Sequence, residues 1–471
     1  MTNANWKDEA KKLKKQLKKA IATLESRASD AGDTAGNIAS KAADMATAAY
    51  GAAVAVAAKP AKVVSPLAPE GGFPALPEIR GVEFAAVEAG VRYRNRKDVM
   101  LVRLAADTAV AGVFTRSSTR AACVLDCQEK LALKVPAGAG AAIIVNSGNA
   151  NAFTGALGQA SVDEVTGGVA QALGIPASRV FSSSTGVIGE PLPHDRIVAK
   201  LPDLVAGLQG SAIDMAAQAI MTTDTFAKGA SAVIEGDGGP IHIAGIAKGS
   251  GMIAPDMATM LVYIFTDAKI APAMLQKMLS RNVDDTFNAI TVDSDTSTSD
   301  SLLLCATGQS DAAAVKGAVA KAFEAALKEV MLDLAKQVTR DGEGATKFVE
   351  INVTHAASAQ DAHRLAMAIA NSPLVKTAIA GQDPNWGRIV MAIGKSGAEA
   401  DRDKLSIRFG DLLLAEKGWR SPGYNEEAAA AYMKNDELVI SVDMGLGRAS
   451  KTVWTCDLTH RYIDINADYR S

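Results

Sequence analysis

Seven apolar runs of strand length punctuate this 471-residue chain. They are "DVMLVRLA" from Asp98, "AAIIVNSG" from Ala141, "HIAGIAKG" from His242, "TMLVYIFTDA" from Thr259, "SLLLCATG" from Ser301, "KFVEINVTHA" from Lys347 and "ELVISVDMG" from Glu437. Short runs rich in Val, Ile and Leu, bounded by glycine and polar residues, favour strands. Patterns of helical period lie among them, clearest over Val315–Val338 and Ala359–Ala370. The chain therefore predicts an α/β or α+β fold. With 48% hydrophobic and 21% charged residues it buries substantial cores, and its length corresponds to about three domains or two large ones. No fixed-period repeat is present.

The first 64 residues differ from the rest. Trp6, Ala10, Leu13, Leu17, Ile21 and Leu24 recur every three or four residues in a lysine-rich stretch, which predicts an amphipathic helix; an alanine-rich linker follows. Met45–Ala58 is too short and too weakly apolar to span a bilayer, and Asp8, Glu9 and Glu25 argue against a transit peptide. We expect no signal peptide and no transmembrane segment. A net charge of -3 supplies no general attraction to nucleic acid. Four scattered cysteines, Cys123, Cys127, Cys305 and Cys456, make no disulfide framework and favour a reducing compartment, the cytoplasm.

Familiar motifs fail on spacing. In "GRIVMAIGKSG", Gly387 and Gly394 enclose six residues where a phosphate loop needs four, so the stretch reads as a strand with a glycine turn. "GLGRAS" at Gly445 lacks the third glycine of a dinucleotide fingerprint, and no serine sits in a G-x-S-x-G elbow. Cys123 and Cys127 have no nearby histidine, and His194, His242, His355, His363 and His460 are dispersed, so no metal site is expected.

What remains is a set of polar, glycine-containing clusters: "VNSGNANAFTG", "FSSSTGVIGEPLP", "IMTTDTFAKG", "AKGSGMIAPDMATML", "TVDSDTSTSDS", "DGEGATK", "GQDPNWGR" and the terminal "INADYRS". Each caps an apolar run, and loops at strand ends are where α/β proteins assemble composite pockets. In one of them Thr259 heads "TMLVYIF". A threonine hydroxyl is a poor nucleophile without a neighbouring base, and no histidine is offered. Cleavage between Ala258 and Thr259 would solve this, because the freed α-amine, with a pKa of about 7.7 to 8.0, serves as the base. Attack creates an oxyanion, and losing one oxyanion donor typically costs about 2.7 to 4 kcal/mol. The Thr185 hydroxyl and the Gly186 backbone N–H of "SSSTG" are candidate donors. Lys248, eleven residues before Thr259, would favour a neutral α-amine or pair with a substrate carboxylate.

"AKGSGMIAPDMATML", with "SSSTG", "MTTDT", "DGEGATK", "DPNWGR" and "INADYRS" in this order, closely resembles the ArgJ family, the ornithine acetyltransferases or glutamate N-acetyltransferases of arginine biosynthesis. The likeness runs from about Ser65 to Ser471 and leaves the first 64 residues outside it. It implies a DmpA/ArgJ-like self-processing acyltransferase fold, with an α chain of residues 65–258 and a β chain of residues 259–471 produced by self-cleavage at Ala258–Thr259. By the same resemblance, Thr259 takes acetyl from N-acetylornithine and passes it to glutamate. Thr185 and Gly186 form the oxyanion hole, and Lys248, Glu343, Asn466 and Ser471 bind substrate with Thr222 or Thr225, a choice left open. Family members often end in threonine; Ser471 keeps a hydroxyl.

The substrates fit this set, since an α-carboxylate and a cationic δ-amine call for one cation, one anion and neutral donors, here Lys248 and Glu343. The resemblance implies an α2β2 assembly. No metal or organic cofactor is expected, because the acetyl group rides on threonine, and acetyl-CoA is left open as a further substrate. Two rivals remain at this stage: a self-processing aminopeptidase or amidase of the same fold, and a docking or membrane-surface role for the lysine-rich helix.

Overall fold

The computed structural model describes residues 63–254 and 260–467. The helix and linker expected in residues 1–64, apart from Val63 and Val64, lie outside the described residues, as do Ala258, Thr259 and Ser471. Fifteen strands are described: β1 (Val82–Val87), β2 (Val99–Leu104), β3 (Ala109–Phe114), β4 (Ala141–Asn149), β5 (Val180–Val187), β6 (Lys228–Gly236), β7 (Gly239–Lys248), β8 (Leu261–Thr266), β9 (Ser301–Ala306), β10 (Phe348–Ala356), β11 (Ser406–Phe409), β12 (Leu412–Glu416), β13 (Trp419–Arg420), β14 (Glu437–Asp443) and β15 (Ala449–Cys456). They form three sheets, ordered β1-β2-β4-β5, β3-β9-β8-β7-β6 and β13-β12-β11-β14-β10-β15. Parallel and antiparallel neighbours are mixed, as in β4 beside β5 (parallel) and β7 beside β8 (antiparallel).

Strand β8 explains the layering. All six of its residues are buried, and because successive side chains face opposite ways its two faces serve different cores. Leu261, Tyr263 and Phe265 join Met100, Val102, Ile143 and Val145 in the core between the first two sheets. Val262 and Ile264 join Leu327, Val330 and Leu334 of the long helix Gly317–Arg340. On the far side of the first sheet, Ala142 and Ile144 of β4 meet Val165 and Val169 of helix Gly155–Leu173. The order is thus helix, sheet, sheet, helix. A strand buried on both faces has no polar side to present, which is why β8 and β9 read as unbroken apolar runs.

The third sheet continues the core of the long helix through Ile351, Val353 and Val453. Helix Ala359–Ala370, capped by Ser358 accepting from the Asp361 N–H, covers it with Leu365, Ala366 and Ile369. Among the described residues no helix is long and apolar enough to cross a membrane.

Two local expectations change. "GRIVMAIGKSG" is not a strand with a glycine turn: Trp386–Gly394 is a helix, and Ile389, Ala392 and Ile393 are its buried positions, the i, i+3, i+4 spacing of one helical face. The "SSSTG" stretch is not a loop beyond a strand end but part of β5, while "NSG" belongs to β4 as the run from Ala141 predicts. Near the end of the described residues lies a helix, His460–Asn466, with Thr459 accepting from the Arg461 N–H at its start.

Candidate active site

Strands β4 and β5 run parallel with Ser147 opposite Thr185 and Gly148 opposite Gly186. Gly186 has a φ of 132°, and a Cβ there would meet the Gly148 carbonyl carbon at 2.2 Å. Only glycine fits so close an approach. The pair brings the end of β5 to the mouth of a pocket of about 100 Å³, lined by Thr185, Gly186, Thr222, Lys248, Glu343 and Asn466 among others.

Lys248 ends β7 and is 3% exposed. Its Nζ donates to Thr185 Oγ1 at 3.1 Å. That bond occupies a lone pair of the hydroxyl and leaves the Thr185 O–H to donate elsewhere. Burial pulls the Lys248 ammonium below the ordinary lysine range, against the opposing pull of the Asp224 carboxylate. Across β7 and β8, Lys248 pairs in register with Leu261, and the Met260 carbonyl accepts from the Ser301 N–H.

Glu343 lies in the turn after Gly317–Arg340 and is 8% exposed. Asn466 Nδ2 donates to its Oε2 at 2.6 Å, and Thr223 also hydrogen-bonds the carboxyl. Burial nonetheless holds this carboxyl above the ordinary glutamate range. Gly251 makes the room: a Cβ there would stand 2.3 Å from the carboxylate carbon. A second acid, Asp293, accepts from the Met252 and Ile253 N–H groups at 2.6 and 2.9 Å and from Tyr462 Oη at 3.2 Å. The helix His460–Asn466 therefore reaches two carboxyl groups, although none of its residues is buried.

Of the two threonines left open in "MTTDT", Thr222 lines the pocket and Thr225 does not. The Thr225 hydroxyl donates to Asp341 and accepts from the Ser65 N–H. Sequence reasoning passed over Thr223, Ser297, Thr298 and Ser299, which also line the pocket. The cluster "TVDSDTSTSDS" was a usable signal, but nothing in it distinguishes lining residues from supporting ones. Among the described residues no cluster of three or more His, Cys, Asp or Glu has metal-binding geometry.

A buried lysine and a buried glutamate face one small pocket on stacked sheets flanked by helices, the kind of concave polar site that small-molecule enzymes use. The ArgJ family model matches residues 83–471. The chain belongs to the ArgJ family. "Arginine biosynthesis bifunctional protein ArgJ" of Ruegeria pomeroyi is 68% identical over 410 residues, covering 87% of this chain and 98% of that protein. The protein of the same name from Mesorhizobium japonicum is 52% identical over 414 residues, covering 87% and 99%. A chain in the crystal structure of arginine biosynthesis bifunctional protein argJ from Bacillus halodurans is 43% identical, with a TM-score of 0.43, and spans 44% of this chain and 99% of its own length.

Proposed function

We propose that this protein is the acetyltransferase of arginine biosynthesis that moves acetyl from N2-acetyl-L-ornithine to L-glutamate. The Thr259 hydroxyl first attacks the Ala258 carbonyl; the Ala258–Thr259 C–N bond breaks as the ester forms, the nitrogen takes the hydroxyl proton and is freed as the Thr259 α-amine, and water then hydrolyses the ester, releasing the Ala258 carboxylate and restoring the hydroxyl. That amine then takes the hydroxyl proton as Thr259 attacks the acetyl carbonyl of N-acetylornithine; ornithine leaves with a proton, and the amine of glutamate attacks the acetyl-threonine ester. The Thr185 hydroxyl and the Gly186 N–H stabilise the oxyanion at each acyl step.

One observation carries the reading: Lys248 donates to Thr185 inside the pocket that Glu343 closes, while Lys248 is in register with Leu261, two residues downstream of Thr259 in sequence. This supports a nucleophile at Thr259 working beside the Thr185 hydroxyl. Lys248 takes the α-carboxylate, Glu343 the cationic amine, and Thr222, Asn466 and Ser471 supply neutral hydrogen bonds. No metal or organic cofactor takes part, because the acetyl group travels on the threonine oxygen. The two chains assemble as α2β2 in the cytoplasm.

Intact-mass measurement tests the first step. The wild-type protein gives two fragments divided between Ala258 and Thr259, and Thr259→Ala gives one uncleaved chain without transfer activity. Enzyme charged with N-acetylornithine and then given glutamate releases N-acetylglutamate; release of acetate alone would make it a hydrolase. Replacing the donor by acetyl-CoA in the same assay reads the second substrate directly. An unbroken Thr259→Ala chain that transfers acetyl at the wild-type rate sinks the proposal.

A further inference from the structure

Behind the pocket lies a group of charges that the reaction above does not use. Lys228 and Asp224 have fully buried side chains, as does Asp341. Lys228 Nζ stands 2.7 Å from Asp224 Oδ1 and 2.6 Å from Asp341 Oδ2. Asp224 also accepts from the Gly249 N–H at 2.6 Å and the Thr222 N–H at 2.9 Å. Asp341 accepts from the Thr225 N–H, and its backbone carbonyl accepts from Ser250 Oγ at 2.6 Å. The Ser250 carbonyl in turn accepts from the Glu343 N–H at 3.1 Å. An unbroken chain of hydrogen bonds and ion pairs thus runs from the backbone after Lys248 to the backbone of Glu343.

Burying such charges adds little stability, since an apolar replacement of similar volume is often neutral or better. The placement of this network points to a different use. The groups grip separate pieces of pocket wall: the Asp224 carboxylate holds the Thr222 turn and the end of β7, the Asp341 carboxylate holds Thr225 and Lys228, and the Asp341 backbone carbonyl ties the turn that carries Glu343 to Ser250. We infer that Asp224, Lys228 and Asp341 are positioning residues which set the separation of Lys248 and Glu343, with Asp224 placing its carboxylate against the backbone that follows Lys248. The inference rests on the transferase reading above. It makes the network the gauge that matches the pocket to a substrate carrying a carboxylate and an amine at a set distance.

The charged groups acting most strongly on Lys248 are Asp224, Lys228, Asp300 and Glu343. Asp224, Asp300 and Glu343 favour the ammonium and Lys228 opposes it. Asp224→Asn keeps the shape and an acceptor oxygen but removes the largest charge favouring the ammonium. Lys248 then loses its proton at lower pH, so the alkaline limb of the kcat/KM profile for acetyl transfer moves to lower pH, and KM rises about tenfold, the scale of one weakened bond to a charged group. Asp224→Glu keeps the charge while shifting the backbone it holds, so the limb stays at the wild-type position and KM still rises. Asp341→Asn, which touches Lys228 and acts on Lys248 less strongly than Asp224 does, moves the limb less than Asp224→Asn.

Melting temperature and intact mass are recorded for each variant, so that failure to fold or to self-cleave is seen apart from a shifted profile. If Asp224→Asn does not fold, Asp224→Glu still decides, by a limb that stays in place while KM rises. A limb displaced in Asp224→Glu, or displaced in Asp341→Asn as far as in Asp224→Asn, overturns the inference, as does an unmoved limb in folded Asp224→Asn. Wild-type protein without transfer activity would instead refute the transferase reading itself.

Discussion

The floor and the rim of the pocket are built on opposite principles. At the floor, Lys248, Asp224, Lys228 and Asp341 are enclosed by the stacked sheets and the long helix, each with partners that leave no room to move. At the rim, helix His460–Asn466 buries none of its residues, yet Asn466 holds Glu343 and Tyr462 holds Asp293. Enclosed charges are costly to disturb, because a broken pair leaves an unsolvated ion, whereas an exposed hydrogen bond exchanges readily with water.

The largest expected effect breaks the floor. Thr185→Val removes the hydroxyl that Lys248 orients and should lower kcat by roughly 10²- to 10³-fold, the usual loss for one oxyanion donor, with KM little changed. Steady-state kinetics check the split; an equal loss from the rim variants below would erase the contrast.

Glu343→Gln probes the junction of the two regions. Burial raises this carboxyl, so its folded pKa exceeds its unfolded one, and its ionised form works against the fold. The stability it contributes is complete below the unfolded pKa and is lost as pH rises through the folded pKa. At neutral pH Glu343→Gln should therefore melt higher than wild type, with the difference vanishing in acid, while KM for N-acetylornithine rises. In wild-type kinetics the lowered Lys248 places the alkaline limb of kcat/KM below that of an ordinary lysine, which a pH scan reads.

At the rim, Asn466→Ala removes a hydrogen bond to a buried carboxyl and should raise KM about tenfold without moving the melting temperature, since the helix is exposed. Tyr462→Phe should be smallest, about 0.5–1.5 kcal/mol, seen as a modest rise in KM. If either variant lowered kcat as Thr185→Val does, the rim would belong to the reacting machinery and the comparison would fail.

Much of the scaffold was legible. Runs such as "LVYIFT" and "SLLLCA" are strands buried on both faces, which is why they read as continuous apolar runs of strand length. The helix at Trp386 was missed because an apolar run with glycine at each end satisfies strand and helix patterns alike until one knows which residues are buried. In "MTTDT" the order of residues says nothing about direction: Thr222 faces the pocket and Thr225 is turned to Asp341, 116 residues away in sequence. Asp224 and Lys228 stand four apart in a stretch already marked as polar, and the missing fact was that Asp341 completes their pairing.

By itself the sequence determined the alternation of strands and helices, the polar clusters and the threonine whose own amine could serve as base, because periodicity and chemical type are local properties. Which clusters meet, which acids lose their water and which hydroxyl turns inward were decided only by the tertiary structure. Enclosure and distance depend on segments far apart in the chain, and they alone set the charge of Lys248 and Glu343.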